Sequence, residues 1–151
     1  MSVNAQNVTV NPGAGSYATL KDAFDAINAG THTGAVTVDI LLNTTESATA
    51  ALNASGVGAA SYTSIAVTTS NGAGVTVEGT LSAAAIIRLI GADRVTIDGR
   101  IGGSGRFITI RNNSNALNAT GIWLSNGSSA TDSAGAQNNV VRNCEKILNF
   151  E

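Results

Sequence analysis

The sequence predicts an all-β solenoid, a stack of short strands closed at one end by a single amphipathic helix, and three observations carry that reading. Short β-branched runs end repeatedly in Asn, Asp or Gly, as in Arg94-Val95-Thr96-Ile97-Asp98-Gly99, the run from Arg106 to Asn113, and Asn138-Asn139-Val140-Val141-Arg142-Asn143-Cys144. The apolar period is two almost throughout and switches to helical spacing once. Most runs end in Gly or Asn and restart a few residues later without a clear primed-turn pair, which argues against a sandwich or barrel. Their recurrence leaves room for three short strands per coil, with loops of variable length at the corners.

Taken in order, Asn7-Val8-Thr9-Val10 reads as a strand that stops in the turn Asn11-Pro12-Gly13-Ala14-Gly15. Over residues 19–29 the apolar positions Leu20, Ala23, Phe24 and Ile27 fall at i, i+3, i+4 and i+7. Thr19 is the N-cap, Asp22 follows three residues on, and Gly30 stands where the helix closes. From Val36 to Leu42 the period drops to two. Residues 44–63 read as a long Ala, Ser, Thr and Gly loop with a short helix or strand near Ala50-Ala51-Leu52. Strands follow at Ser64 to Thr69, Gly74 to Glu78, Ala85 to Ile90, Arg94 to Gly99, Arg106 to Asn113, Gly121 to Leu124 and Asn138 to Cys144, with a second small-residue excursion over 125–138.

Composition bounds the functions open to the chain. Its 151 residues suit one domain, and charged residues make up 12% of them, against roughly 25% in ordinary soluble domains. Aromatics supply only 4%, which suits a core of thin Val, Ile, Leu and Ala layers. A net charge of −2 gives no drive toward nucleic acid or an anionic membrane, and no apolar run approaches the roughly 20 residues of a membrane span. The one cysteine, Cys144, cannot close an internal disulfide and reads as a small buried apolar side chain.

These residues resemble the right-handed parallel β-helix proteins of the pectate-lyase-like superfamily, in particular bacterial extracellular proteins built of β-helical repeats. Ser16-Tyr17-Ala18-Thr19-Leu20-Lys21-Asp22-Ala23-Phe24-Asp25-Ala26-Ile27 is similar to the helix that caps such solenoids, and Val36 to Leu42 to a first rung. The resemblance implies one domain over 1–151, with a capping helix at 19–29, coils over 36–145 and a tail at 146–151. Leu20, Phe24 and Ile27 plug the first coil, and Asn112, Asn126 and Asn143 sit at corners. It also implies an extracellular or cell-surface location. Residues 1–6 lack a signal peptide, although Val3-Asn4-Ala5 has the small-x-small pattern of a trimmed cleavage site. A departure lies at the end of the sequence, where no cap follows the last strand. Ile147, Leu148 and Phe150 are therefore expected either to fold back as a makeshift plug or, the favoured reading, to form an oligomer contact between copies.

Candidate chemistry is sparse. The superfamily's lyases and hydrolases imply carboxylates, with Ca²⁺ as cofactor for the lyases, and Asp93 and Asp98 with Arg94 and Arg100 are the nearest candidates. Asp98 reads more simply as a turn cap before Gly99, and Asp22 and Asp25 as the solvated face of the helix. His32 has no second histidine or cysteine beside it and is expected to be exposed, so no metal site is expected. Five of the basic residues cluster at Arg88, Arg94, Arg100, Arg106 and Arg111. Stacked coils would put some of them on one wall, where a guanidinium fork suits the carboxylates or sulfates of an acidic polysaccharide. Trp123 alternates with Ile122 and Leu124 and points outward if they point inward, free to stack on a sugar or anchor a subunit contact. The sequence thus points to a non-catalytic scaffold, carbohydrate-binding and self-associating, over a polysaccharide lyase or hydrolase.

Overall fold

The computed structural model describes residues 6–13, 16–127 and 135–148, with side-chain surroundings given through Glu145. Strands β1 (Gln6–Val10), β2 (Gly34–Ile40), β5 (Tyr62–Thr68), β8 (Val95–Asp98) and β11 (Val140–Arg142) form sheet A in that spatial order. Sheet B runs β3 (Thr44–Thr45), β6 (Val75–Gly79), β9 (Ile108–Asn112), β12 (Cys144–Leu148), and sheet C runs β4 (Ala50–Asn53), β7 (Ala85–Ile90), β10 (Thr120–Ser125). Every pairing between these strands is parallel, and the chain visits A, B and C in turn, so the fold is a parallel β-helix of about four turns.

Alternation along each strand sends one set of side chains inward, and parallel register stacks like on like. Sheet A carries Val8, Val38, Val67 and Ile97 in one column, and Val36, Ile65 and Val95 in the next. Sheet C aligns Ala50, Ile87 and Ile122, then Leu52, Leu89 and Leu124. The core is therefore aliphatic, with Ile40, Leu52, Ile97 and Ile110 almost wholly removed from water. Corners need special geometry. Gly99 closes one of them, where a Cβ would lie 2.0 Å from the Asn143 carbonyl oxygen.

The region 44–63 is not one loop. It holds β3 and β4: β4 falls where the sequence offers a short helix or strand near Ala50-Ala51-Leu52, while β3, two residues long with Thr44 inward, carries no aliphatic signal. Asn143 sits at a corner with φ of 52°, as Asn tolerates. Asn112 works differently: its buried carboxamide accepts from the Leu81 and Ser114 N–H groups and donates to the Leu81 and Ala84 carbonyls. Asn139 repeats the device between the Ala92 carbonyl and the Val95 N–H. Asn126 is exposed.

Helix α1 (Leu20–Asn28) takes the place of a sheet C strand in the first turn and packs on β4. Leu20, Ala23, Phe24 and Ile27 are fully buried, as a plug requires. A helix start leaves N–H groups without partners, and here each is met. Thr19 Oγ1 accepts from Asp22 at 3.1 Å, while the buried Glu46 accepts from Leu20 and Lys21 at 3.0 Å each. The negative carboxylate also complements the positive end of the helix dipole. At the other end the Asn28 side chain donates to the Ala51 carbonyl and accepts from the Asn53 N–H, both at 2.9 Å, closing the edge of β4 as a neighbouring strand would.

Tyr62, buried at the start of β5, donates its hydroxyl to the Asn53 carbonyl at 2.6 Å, and burial pushes its pKa up to about 12. Thr44 faces inward with a buried hydroxyl that finds no partner among the described residues.

Two stability measurements follow. Glu46→Ala strands two helix N–H groups and should lower the unfolding free energy by about 3 kcal/mol, read from the denaturant midpoint. Thr44→Val removes a buried unbonded hydroxyl at nearly constant volume and should raise it by about 1 kcal/mol. A neutral Glu46→Ala would contradict the capping role.

Candidate functional site

On the outer face of sheet C, register places Ala51, Arg88 and Trp123 in one column. Leu52, Leu89 and Leu124 define the inward side, so Trp123 projects outward, with 44% of its surface exposed. The Arg88 guanidinium carbon lies 4.7 Å from the Trp123 ring centroid, a cation–π contact. Arg88 Nε donates to Ser125 Oγ at 3.2 Å, which fixes the side chain along the strand and leaves the terminal nitrogens without a carboxylate partner among the described residues. A shallow cleft of about 280 Å³ adjoins the indole, lined by Asn118, Thr120, Ile122 and Trp123.

The other arginines lie elsewhere and do not form a row along this wall. Arg94 occupies the corner before β8 with φ of 57°, its N–H on the Gln137 carbonyl and its carbonyl taking the Ile65 N–H. Arg100 closes on Asp98 at the opposite end of β8, Arg106 is exposed in the loop before β9, and Arg111 pairs with Glu78 on the outer face of sheet B. The clustering in sequence disperses because each coil turns these positions onto different faces.

Asp93 and Asp98 are likewise held apart by the length of β8. The Asp93 carboxylate accepts from the Gln137 N–H. Asp98 accepts from the Arg100 N–H at 3.1 Å, the expected turn cap, and also binds the Arg100 guanidinium and Arg142 Nε at 2.9 Å. Arg100 beside it, seconded by Arg142, holds its pKa well below the usual carboxylate range against the opposing effect of burial. Such a group stays ionised, the reverse of what a general acid needs. Arg111 and then Asn113 lower Glu78 in the same way.

His32 is half-buried rather than simply exposed. Its Nε2 lies 2.8 Å from the Tyr17 hydroxyl and its Nδ1 3.2 Å from Gln6 Oε1, so it ties β1 to the segment before α1. Cys144 is part-buried against the core, and that burial raises its pKa. Ile147 and Leu148 belong to β12, beside Arg111 and Asn112, but their side chains and the whole of Phe150 lie outside the described residues. Among the described residues no group of His, Cys, Asp and Glu is placed to hold a metal, and no helix is long and apolar enough to cross a membrane. Sequence reasoning missed Ser125 and Asn118, whose hydroxyl and amide types are too common in this chain to stand out. It also missed Glu46, whose only signal is an acid in a stretch that otherwise carries no charge.

No protein-family model matches the chain, and neither a curated protein nor a solved structure does.

The Asp98 cluster makes a pH prediction. A folded-state pKa below the unfolded value of about 3.9 stabilises the fold fully above that value, and the contribution is lost as pH falls toward the folded-state value. Unfolding free energy should therefore fall more steeply with acid below about pH 5 in the parent chain than in Asp98→Asn, the two converging at low pH. Parallel acid limbs in denaturant titrations would refute this.

Proposed function

We propose that the chain is a non-catalytic β-helical scaffold that contacts an acidic polysaccharide through Arg88 and Trp123 on sheet C. The single observation that carries the reading is the Arg88–Trp123 pair. An oriented guanidinium whose terminal nitrogens meet no carboxylate among the described residues lies against an exposed indole beside a cleft, the chemistry that meets a carboxylate or sulfate together with the apolar face of a sugar ring. This ligand class suits an extracellular or cell-surface setting, and the rigid coil stack holds the pair without help from a loop. Ca²⁺ enters only under the alternative, a polysaccharide lyase or hydrolase of the pectate-lyase-like kind centred on Asp93 and Asp98. The pairing of Asp98 with two arginines weighs against that alternative.

Affinity electrophoresis through gels containing polyuronate, sulfated or neutral polysaccharide separates these readings. The chain should be retarded by the anionic polymers, less so at high salt, and Arg88→Ala should weaken binding about tenfold, the loss of roughly one charge-assisted contact. Release of unsaturated or reducing sugars, with or without Ca²⁺, that disappears in a folded Asp98→Asn variant would overturn the scaffold reading.

A further inference from the structure

The Arg88–Trp123 pair has two sides, and they differ in chemistry. The guanidinium carbon lies over the indole, 4.7 Å from its centroid. The adjoining cleft is lined by Asn118, Thr120, Ile122 and Trp123, which belong to β10 and the corner before it, and among the described residues β7 contributes nothing to it. The indole therefore stands as a partition, with Arg88 on the β7 side and the cleft on the other. On the Arg88 side, Ser125 Oγ takes the Nε donor, so the terminal nitrogens form the fork left for an anion.

The cleft suits a different group. Its lining offers an amide, a hydroxyl, an aliphatic side chain and the ring, with no cationic side chain among the described residues. An anion placed there would lose hydration without a countercharge and would meet the negative face of the indole quadrupole. A neutral sugar fits better. The C–H face of a pyranose can pack on Trp123 and Ile122 while its hydroxyl or acetamido groups turn to Asn118, exposed in the corner at φ of 63° with no side-chain partner among the described residues.

We propose that the pair reads two consecutive sugars, a neutral one in the cleft and an anionic neighbour on Arg88, so that the ligand is a polysaccharide in which neutral and anionic residues alternate. This rests on the acidic-polysaccharide reading above and narrows it. One sugar cannot serve both sides. With the guanidinium 4.7 Å from the centroid on one face and a sugar in van der Waals contact at about 4 Å on the other, the whole ring lies between them. A uronate carries its carboxylate close to the plane of its own ring, so the carboxylate of a stacked sugar runs alongside the indole and does not cross to the fork. The next residue of the polymer, passing the edge of the indole, brings its anion to Arg88. A uniform polyuronate also fills the fork, but it must set a charged sugar in the uncharged cleft or leave the cleft empty.

Affinity electrophoresis of the full chain through hyaluronan, in which glucuronate alternates with N-acetylglucosamine, and through polygalacturonate at equal mass tests this. Hyaluronan should bind with an apparent Kd about tenfold lower, although polygalacturonate carries a carboxylate on every residue and charge attraction alone favours it. Asn118→Gly removes the carboxamide at a positive φ that glycine accepts, and it should narrow the difference between the polymers. Arg88→Ala should weaken binding to both. Equal or stronger retardation of the parent chain by polygalacturonate overturns the alternating ligand and leaves the acidic-polysaccharide reading standing. A folded Asn118→Gly variant that keeps the full difference also overturns it. Retardation by neither polymer overturns both readings, and the comparison between polymers needs no variant to fold.

Discussion

A single coil of this chain cannot bury its own inward face, and everything else in the structure follows from that constraint. Each turn presents a few aliphatic side chains along three short strands, and only the turn above and the turn below remove them from water. Val38 is shielded because Val8 and Val67 lie in register on either side of it, and Leu89 because Leu52 and Leu124 do. The hydrophobic effect here acts along the axis of the stack rather than toward a centre. Large aromatics are consequently unnecessary, and the ends become the places where stability is decided.

The first turn meets this demand with a helix instead of a strand. Substituting one for the other leaves a mismatch of hydrogen-bonding groups on both elements, and two side chains resolve it. Glu46 satisfies the helix N-terminus from within the stack, and Asn28 gives β4 the donor and acceptor that a strand would have supplied. Further along, Asn112 and Asn139 carry the ladder around corners where the backbone cannot. An asparagine-rich sequence is thus a consequence of the fold: a carboxamide reproduces one peptide unit without committing the backbone to strand geometry.

The architecture was largely legible in the sequence because its determinants are local. Period-two runs, a change to helical spacing at Leu20 to Ile27, and terminating Asn or Gly residues all survive in a one-dimensional reading. β3 escapes it because its two residues place only Thr44 inward, and at β4 the small Ala50 and Ala51 leave helix and strand undecided. The site was less legible. That Trp123 faces outward follows from alternation, but that Arg88 lies over it depends on register between turns separated by dozens of residues. The same ignorance of register made five clustered arginines look like one wall, whereas Arg100 and Arg111 are committed to Asp98 and Glu78. His32 was similarly opaque, since its partners Tyr17 and Gln6 are brought to it only when β1 pairs with β2.

Function on such a stack is carried by what the outer faces hold in place, because the inner faces are consumed by packing. Arg88 and Trp123 owe their juxtaposition to the same in-register columns that build the core, so rigidity and presentation have one origin. Burial passes from turn to turn, with the first turn sealed by α1. Native-state hydrogen exchange, resolved by strand, tests this most directly. In dilute solution, protection should be as high in β2 and β4 as in β5 and β7 and should fall toward β10 and β11, whose outer neighbours are missing among the described residues. Protection that decays equally toward both ends would contradict the sealed first turn, and uniform protection would contradict the dependence of each turn on its neighbours.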